Sequence, residues 1–291
     1  MYQANTVADF KQIAILGVGL IGGSIGRAAL ARKIADKVVG IGRSEEKLAR
    51  AQRQGCLTEA TTQWQAGIRG ADLIVVCSPV ESIVPLVEQL VPFCQPGTII
   101  TDAGSTKQKI VDTLHSSESI RGRKDVYFVG SHPMAGSDKS GSDYATADLF
   151  QNRVTIVTPV AETERTAKAT VRKFWESLGS EVHEMSPSEH DAIVAATSHM
   201  PHVIAALVAA STPEAMLKFT STGWADTTRI AAGDIDLWRQ ILSTNRGHVL
   251  QTLANFEKLL AAFRTSLEAG QEEHWIKLLK QGKHHRDIVG S

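Results

Sequence analysis

Ile13-Ala14-Ile15-Leu16-Gly17-Val18-Gly19-Leu20-Ile21-Gly22 is the stretch that decides the fold. Four apolar residues run into a G-x-G-x-x-G, and residues 21–32 continue with helical spacing. A strand that turns sharply through glycines into a helix opens a parallel βαβ unit suited to a dinucleotide. Gly17 allows the tight turn, Gly19 lets the backbone approach a pyrophosphate, and Gly22 lets helix and strand pack closely. The helix start adds free N–H groups and the positive end of its dipole. Leu20 and Ile21 in that first turn, and Ser78 after a later strand, join these glycines as candidate cofactor-binding residues.

Outward from this unit the same alternation continues. The pattern predicts strands over 38–41, 73–76, 98–101, 126–130 and 154–158, with helices over 45–54, 80–90 and 107–114 between them. A last helix and strand are expected over 163–178 and 181–185, after which 186–281 reads as helix almost throughout. The expected fold class is therefore α/β: an N-terminal Rossmann-type doubly wound sheet over 1–185, followed by an all-α domain over 186–291. Ser186-Pro187-Ser188-Glu189 has the form of a helix start, with an N-cap serine, Pro at the first helical position and an acid near the positive dipole end. About 100 residues of Ala- and Leu-rich helix make a thin core alone, which predicts a homodimer.

Composition narrows the function. The 31 basic and 31 acidic residues cancel, so no one-signed field is present to hold nucleic acid or an anionic membrane. Three cysteines, Cys56, Cys77 and Cys94, are an odd number without CxxC spacing, which fits a reducing compartment rather than a disulfide framework. The polar N-terminus lacks a signal-peptide pattern, and residues 192–210, the most apolar later stretch, are interrupted by His199, Pro201 and His202 and fall short of a clean membrane span. A soluble cytoplasmic protein acting on a small molecule is expected.

The second strand should place an acid on the ribose of NAD, but Gly40-Ile41-Gly42-Arg43-Ser44 offers none. Arg43 can pair with a 2′-phosphate, Gly42 leaves room, and Ser44 adds a hydroxyl, so NADP is favoured and NAD is the alternative. Otherwise Arg43 is a surface arginine balanced by Glu45 or Glu46.

Four further clusters carry a resemblance. Asp102-Ala103-Gly104-Ser105-Thr106-Lys107, Ser131-His132-Pro133-Met134-Ala135-Gly136, Ser198-His199-Met200-Pro201-His202, and Thr227-Thr228-Arg229-Ile230-Ala231 with Trp238 nine residues on together resemble the prephenate/arogenate dehydrogenase family. The resemblance implies oxidative decarboxylation of a cyclohexadienol with hydride transfer to a nicotinamide, in tyrosine biosynthesis. It implies His132 as general base, with an acid limb near the ordinary imidazole value of about 6.5. It further implies Ser105 as a hydrogen-bonding partner of substrate and histidine network, Arg229 as the grip on the ring carboxylate, and His190, His199 and His202 around the substrate. Asp138 and Trp238 match an acid and a partner-subunit tryptophan near the pocket mouth.

The residues by themselves leave plainer readings open. His132 reads as a loop histidine after the strand 126–130, Asp102 and Ser105 as caps of the helix beginning near Lys107, and Arg229 as a helix-surface arginine. Gly223-Trp224-Ala225-Asp226 departs from the family pattern, Ala225 standing where a basic residue is common. Three histidines can suggest zinc, but no H-E-x-x-H pattern completes a site, and no metal is expected. A 3-hydroxyacid dehydrogenase and a non-catalytic nucleotide sensor are the competing functions. The short polar tail after the last predicted helix leads us to expect no appended regulatory domain and no fused mutase.

Overall fold

The computed structural model describes residues 9–136 and 139–290. Eight strands form one sheet: β1 Phe10–Leu16, β2 Ala35–Ile41, β3 Glu59–Thr61, β4 Leu73–Val76, β5 Ile99–Asp102, β6 Tyr127–Pro133, β7 Val154–Thr158 and β8 Glu181–Glu184. Their spatial order is β3-β2-β1-β4-β5-β6-β7-β8, and every neighbouring pair is parallel except β6 with β7. Helices α1 Leu20–Ala31, α2 Glu45–Arg53, α3 Trp64–Ile68, α4 Val80–Leu90, α5 Gln108–Ser116, α6 Glu118–Arg121 and α7 Arg165–Ser177 accompany it.

The period-two geometry of a strand explains the two cores. Ile13, Ile15, Leu73 and Val75 point to one face, into a core that they share with Ile25 and Ala28 of α1 and Phe174 and Trp175 of α7. Their neighbours Ala14, Leu16, Ile74 and Val76 point to the other, against Ile83 and Val87 of α4. All four side chains of β4 are fully buried, each contributing about 2 kcal/mol through loss of apolar surface.

Several features depart from the sequence expectation. β6 runs on through Pro133, so His132 is a strand residue paired across from Ile156 of β7, not a loop residue after the strand. The antiparallel partner supplies order that the local pattern, broken by His-Pro, does not announce. β3 and α3 were not foreseen, because three residues of mixed polarity and five residues of helix carry almost no periodic signal.

Beyond β8 the chain is helical: α8 Pro187–Val194, α9 Met200–Ser211, α10 Thr222–Thr228, α11 Ile235–Thr244, α12 Arg246–Glu268 and α13 Glu272–Val289. Ser186 caps α8 in a reciprocal capping box with Glu189. A π-helical turn, Ala195–His199, joins α8 to α9. It stands just before Pro201, whose missing N–H and ring cannot serve the preceding turn of an α-helix.

The helix Pro187–Ser211 is 25 residues long, and an 18-residue stretch of it has a mean hydropathy of 1.6, so by length and composition alone it is apolar enough to cross a membrane despite its histidines and Pro201. It carries buried His190, Asp191, His199 and His202, and its first turns dock on α5 and the sheet.

Candidate active site

The cofactor cradle is built where β1 turns into α1. Gly17 has φ +94°, and a Cβ there would lie 2.4 Å from the Cys77 carbonyl oxygen, so this turn admits glycine alone. At Gly22 a Cβ would meet the Gly17 carbonyl oxygen at 2.1 Å. A Cβ on Gly19 would meet nothing within 4 Å, so this glycine faces open space at the helix N-terminus. That cradle fits a pyrophosphate. Leu20, Ile21 and Ser78 line it half-buried. Arg43 is exposed at the end of β2. Ser44 caps α2 by accepting from the Lys47 N–H at 3.3 Å, which leaves its hydroxyl proton free to donate.

The polar centre lies at the end of β6. His132 Nδ1 is 2.8 Å from His190 Nε2, and His190 Nδ1 is 2.8 Å from Asp191 Oδ1. His190 is fully buried behind His132. The chain of bonds fixes the protons. A carboxylate only accepts, so His190 Nδ1 donates to Asp191; the neutral ring then accepts at Nε2, and His132 Nδ1 must donate to it. His132 is left with a bare Nε2.

Electrostatics keep that nitrogen neutral. Burial, reinforced by the neighbouring His190, Lys107 and His199, pushes His132 well below its ordinary value. That direction lies below the acid limb expected near the ordinary imidazole value. Burial also lowers His190, against the opposing effect of the hydrogen bond that it donates to Asp191.

Asp191, not Asp102, serves the N-terminus of α5, accepting from the Lys107 and Gln108 N–H groups at 2.7 and 3.0 Å. Asp102 is fully buried and pairs with Lys107, itself fully buried. It also accepts from the Gly104 and Ser131 N–H groups at 2.8 and 3.1 Å, so one carboxylate ties the Ser105 loop to the strand of His132. Ser105 is half-buried in that loop, and its hydroxyl makes no hydrogen bond among the described residues. The expected link from Ser105 to the histidines is therefore not formed within the protein.

On the helical side, His199 and His202 are buried. His202 stacks on Trp238 with ring centroids 3.5 Å apart and planes 12° apart, and His199 meets the same indole edge-on at 6.0 Å. Trp238 thus covers two histidines of its own chain. Gly233 makes room for this stack: a Cβ there would lie 2.6 Å from Trp238 Nε1. Burial lowers His202, and its Nδ1 is buried without a partner. Arg229 is exposed at the end of α10 with no hydrogen bond or ion pair among the described residues, and Ala225 is exposed on the same helix. Asp138 lies outside the described residues.

The two halves are joined around this centre. Arg239 of α11 grips Glu81 of α4 through both carboxylate oxygens at 3.1 and 2.9 Å, and Thr106 meets Thr244 at 2.9 Å. Sequence reasoning missed Asp191, Lys107 and Asn245 as members of the centre. The adjacent pair His190-Asp191 carried a usable signal; Asn245 carried none.

Comparison with known proteins decides the family. The sequence models for the prephenate dehydrogenase nucleotide-binding domain and dimerization domain match residues 25–184 and 186–281. The chain belongs to the prephenate dehydrogenase family. It is 32% identical to a prephenate dehydrogenase of Bacillus subtilis over 94% of this chain and 75% of that protein. It is also 32% identical to a cyclohexadienyl dehydrogenase of Zymomonas mobilis over 95% of both chains. The crystal structure of prephenate dehydrogenase from A. aeolicus, in complex with hydroxyphenyl propionate and NAD+, superposes with a TM-score of 0.87 at 31% identity, covering 96% of this chain and 98% of that one. A Rossmann-type half and a helical dimerisation half are therefore the architecture of a prephenate dehydrogenase family member, and the 3-hydroxyacid reading is not favoured.

Proposed function

We propose that this chain oxidises and decarboxylates prephenate to a hydroxyphenyl keto acid, with NADP as the preferred hydride acceptor, in tyrosine biosynthesis. The observation that carries the chemistry is the relay from Asp191 through His190 to His132, which leaves His132 Nε2 bare and neutral. That nitrogen takes the proton of the ring hydroxyl as the carbon beneath it gives up hydride. The ring carboxylate leaves as carbon dioxide, the electron pair of its broken C–C bond completes the aromatic ring, and the proton returns to the ring oxygen. The bound nicotinamide supplies the hydride acceptor and nothing else.

Substrate orientation is assigned to the remaining residues. Arg229, exposed and without a partner among the described residues, is a guanidinium fork available to the ring carboxylate. Ser105 has a free hydroxyl for the ring oxygen. His202 favours prephenate over arogenate as a neutral hydrogen-bond donor to the keto-acid side chain; burial argues against its acting as a cation that repels an ammonium. Asp138 and Trp238 are assigned to the pocket mouth. Arg43 and Ser44, with no acid beside them at the end of β2, support NADP over NAD.

The organisation follows the same reading, with a nucleotide half over 1–185 and a substrate and dimerisation half over 186–291. Leu207, Leu250, Leu259, Leu260 and Phe219 are all exposed on the helical half. They offer a second copy the apolar surface of a homodimer. The protein is read as cytoplasmic. Incubating it with prephenate or arogenate, and with NADP or NAD, tests the assignment: nicotinamide reduction with equimolar carbon dioxide is expected, fastest with prephenate and NADP. No reduction with any pair would refute it.

A further inference from the structure

Asn245 sits at a helix junction where a side chain of its type ordinarily serves the backbone. It closes α11 and stands at the N-cap of α12, a position asparagine favours because its oxygen accepts from an N–H of the first turn. No such bond forms here. The side chain is turned inward and is buried. Its Nδ2 donates to the Asp191 carbonyl oxygen at 2.7 Å and lies 3.1 Å from His199 Nδ1, while Oδ1 is buried without a partner.

The Asp191 carbonyl decides which end of the amide is which. A carbonyl oxygen only accepts, so the atom beside it is the NH2 group. An NH2 group only donates, so His199 Nδ1 must accept, and the proton of the neutral ring resides on Nε2. An asparagine that forgoes a helix cap and leaves its own oxygen unpaired is doing something other than ending a helix.

We infer that Asn245 is a positioning residue for the reaction, holding His199 in the single tautomer whose Nε2–H is a donor to the anionic substrate. This rests on the reading of His199 as a substrate-binding residue. The same junction serves both sides of the centre: the Asp191 side chain orients His190 and His132, and its carbonyl, through Asn245, orients His199.

The groups facing His199 are consistent with a neutral ring. Burial lowers it to about 4; Asp191 opposes that shift, and His190 and His202 add to it. His132 on β6 and the edge of Trp238 on α11 complete its surroundings.

The test reads the tautomer directly, by nitrogen NMR of histidine-labelled full-length protein without added ligand. The wild-type spectrum should assign His199 as the Nε2–H form. Asn245→Ala should give a mixture of tautomers, and the nearly isosteric Asn245→Asp should move the proton to Nδ1 or hold the ring protonated. An Nδ1–H form in the wild type, or an unchanged spectrum in both variants, overturns the inference. In kinetics with prephenate and NADP, Asn245→Ala should lower kcat/KM by about tenfold to hundredfold. The same change in a His199→Gln background should add almost no further loss. A full additional loss there would make Asn245 merely structural. If His199→Gln alone leaves kcat/KM unchanged, the substrate role of His199 fails, while the spectra still report on Asn245.

Discussion

His132 Nδ1 and His190 Nε2 lie 2.8 Å apart across the seam between the sheet and the helical half. The bond joins β6 to α8, 58 residues away in the chain. It makes the helical half a determinant of which nitrogen of His132 carries the proton. His190→Phe removes the acceptor while filling the space, and releases the base to either tautomer. Turnover should fall by about a hundredfold, the range of a positioned general base, with NADP affinity unchanged in a binding titration. Wild-type turnover in this variant would show that the seam bond has no catalytic consequence.

The acid limb of the rate profile should lie below the ordinary imidazole value. The base must be neutral to accept a proton, and burial with the nearby His190, Lys107 and His199 lowers His132 well below about 6.5. Activity therefore persists through pH 6 and falls only as the pH drops through the lowered value. A kcat/KM profile whose acid limb sits at or above the ordinary value would contradict this environment.

The same burial makes acid a destabilising condition. Above about 6.5 His199 is neutral in both the folded and unfolded chain. Between that value and about 4, its folded value, the unfolded chain binds a proton that the folded chain refuses, so stability falls as pH falls. Denaturant titrations across this window should show the decline, and it should be shallower in His199→Gln. Identical slopes in both proteins would remove His199 as its source.

Lys107 and Asp102 are an ion pair with no solvent exposure, and Asp102 also holds the Gly104 and Ser131 N–H groups. Lys107→Met leaves that carboxylate buried without its cation, which should cost about 3 to 5 kcal/mol of stability. Chemical denaturation measures this. A loss below about 1 kcal/mol would mean that the backbone donors alone satisfy Asp102.

Much of this was legible in the sequence, and the remainder was hidden for a physical reason. Gly17 and Gly22 announce the cradle because a tight turn and a close packing there admit only glycine, and Gly19 leaves the helix N-terminus open between them. His132 is legible through its neighbours, but its strand is not, since the order of β6 past Gly130 comes from pairing with β7. The bond of His190 to His132 and the place of Asn245 beside His199 are not legible. Both take their meaning from partners 46 to 58 residues away that only docking of the helical half supplies.

On the proposed reading Arg43 sets the choice of nucleotide. Arg43→Ala should remove a charge-assisted contact of about 1.5 to 3 kcal/mol with the 2′-phosphate and weaken NADP by roughly ten- to hundredfold, leaving NAD nearly untouched. Titration of both nucleotides against both proteins checks it. An equal loss for both, or a wild-type preference for NAD, would return Arg43 to the status of a surface arginine.

His132 is the residue on which the proposed reaction depends most directly, and replacing it gives a test in one comparison. Turnover of prephenate with NADP should be abolished in His132→Ala, while titrations of prephenate and of NADP give affinities close to wild type, because the side chain takes a proton and holds neither ligand. A variant that still reduces NADP at the wild-type rate would contradict the assignment of the base and, with it, the purpose of the relay behind it.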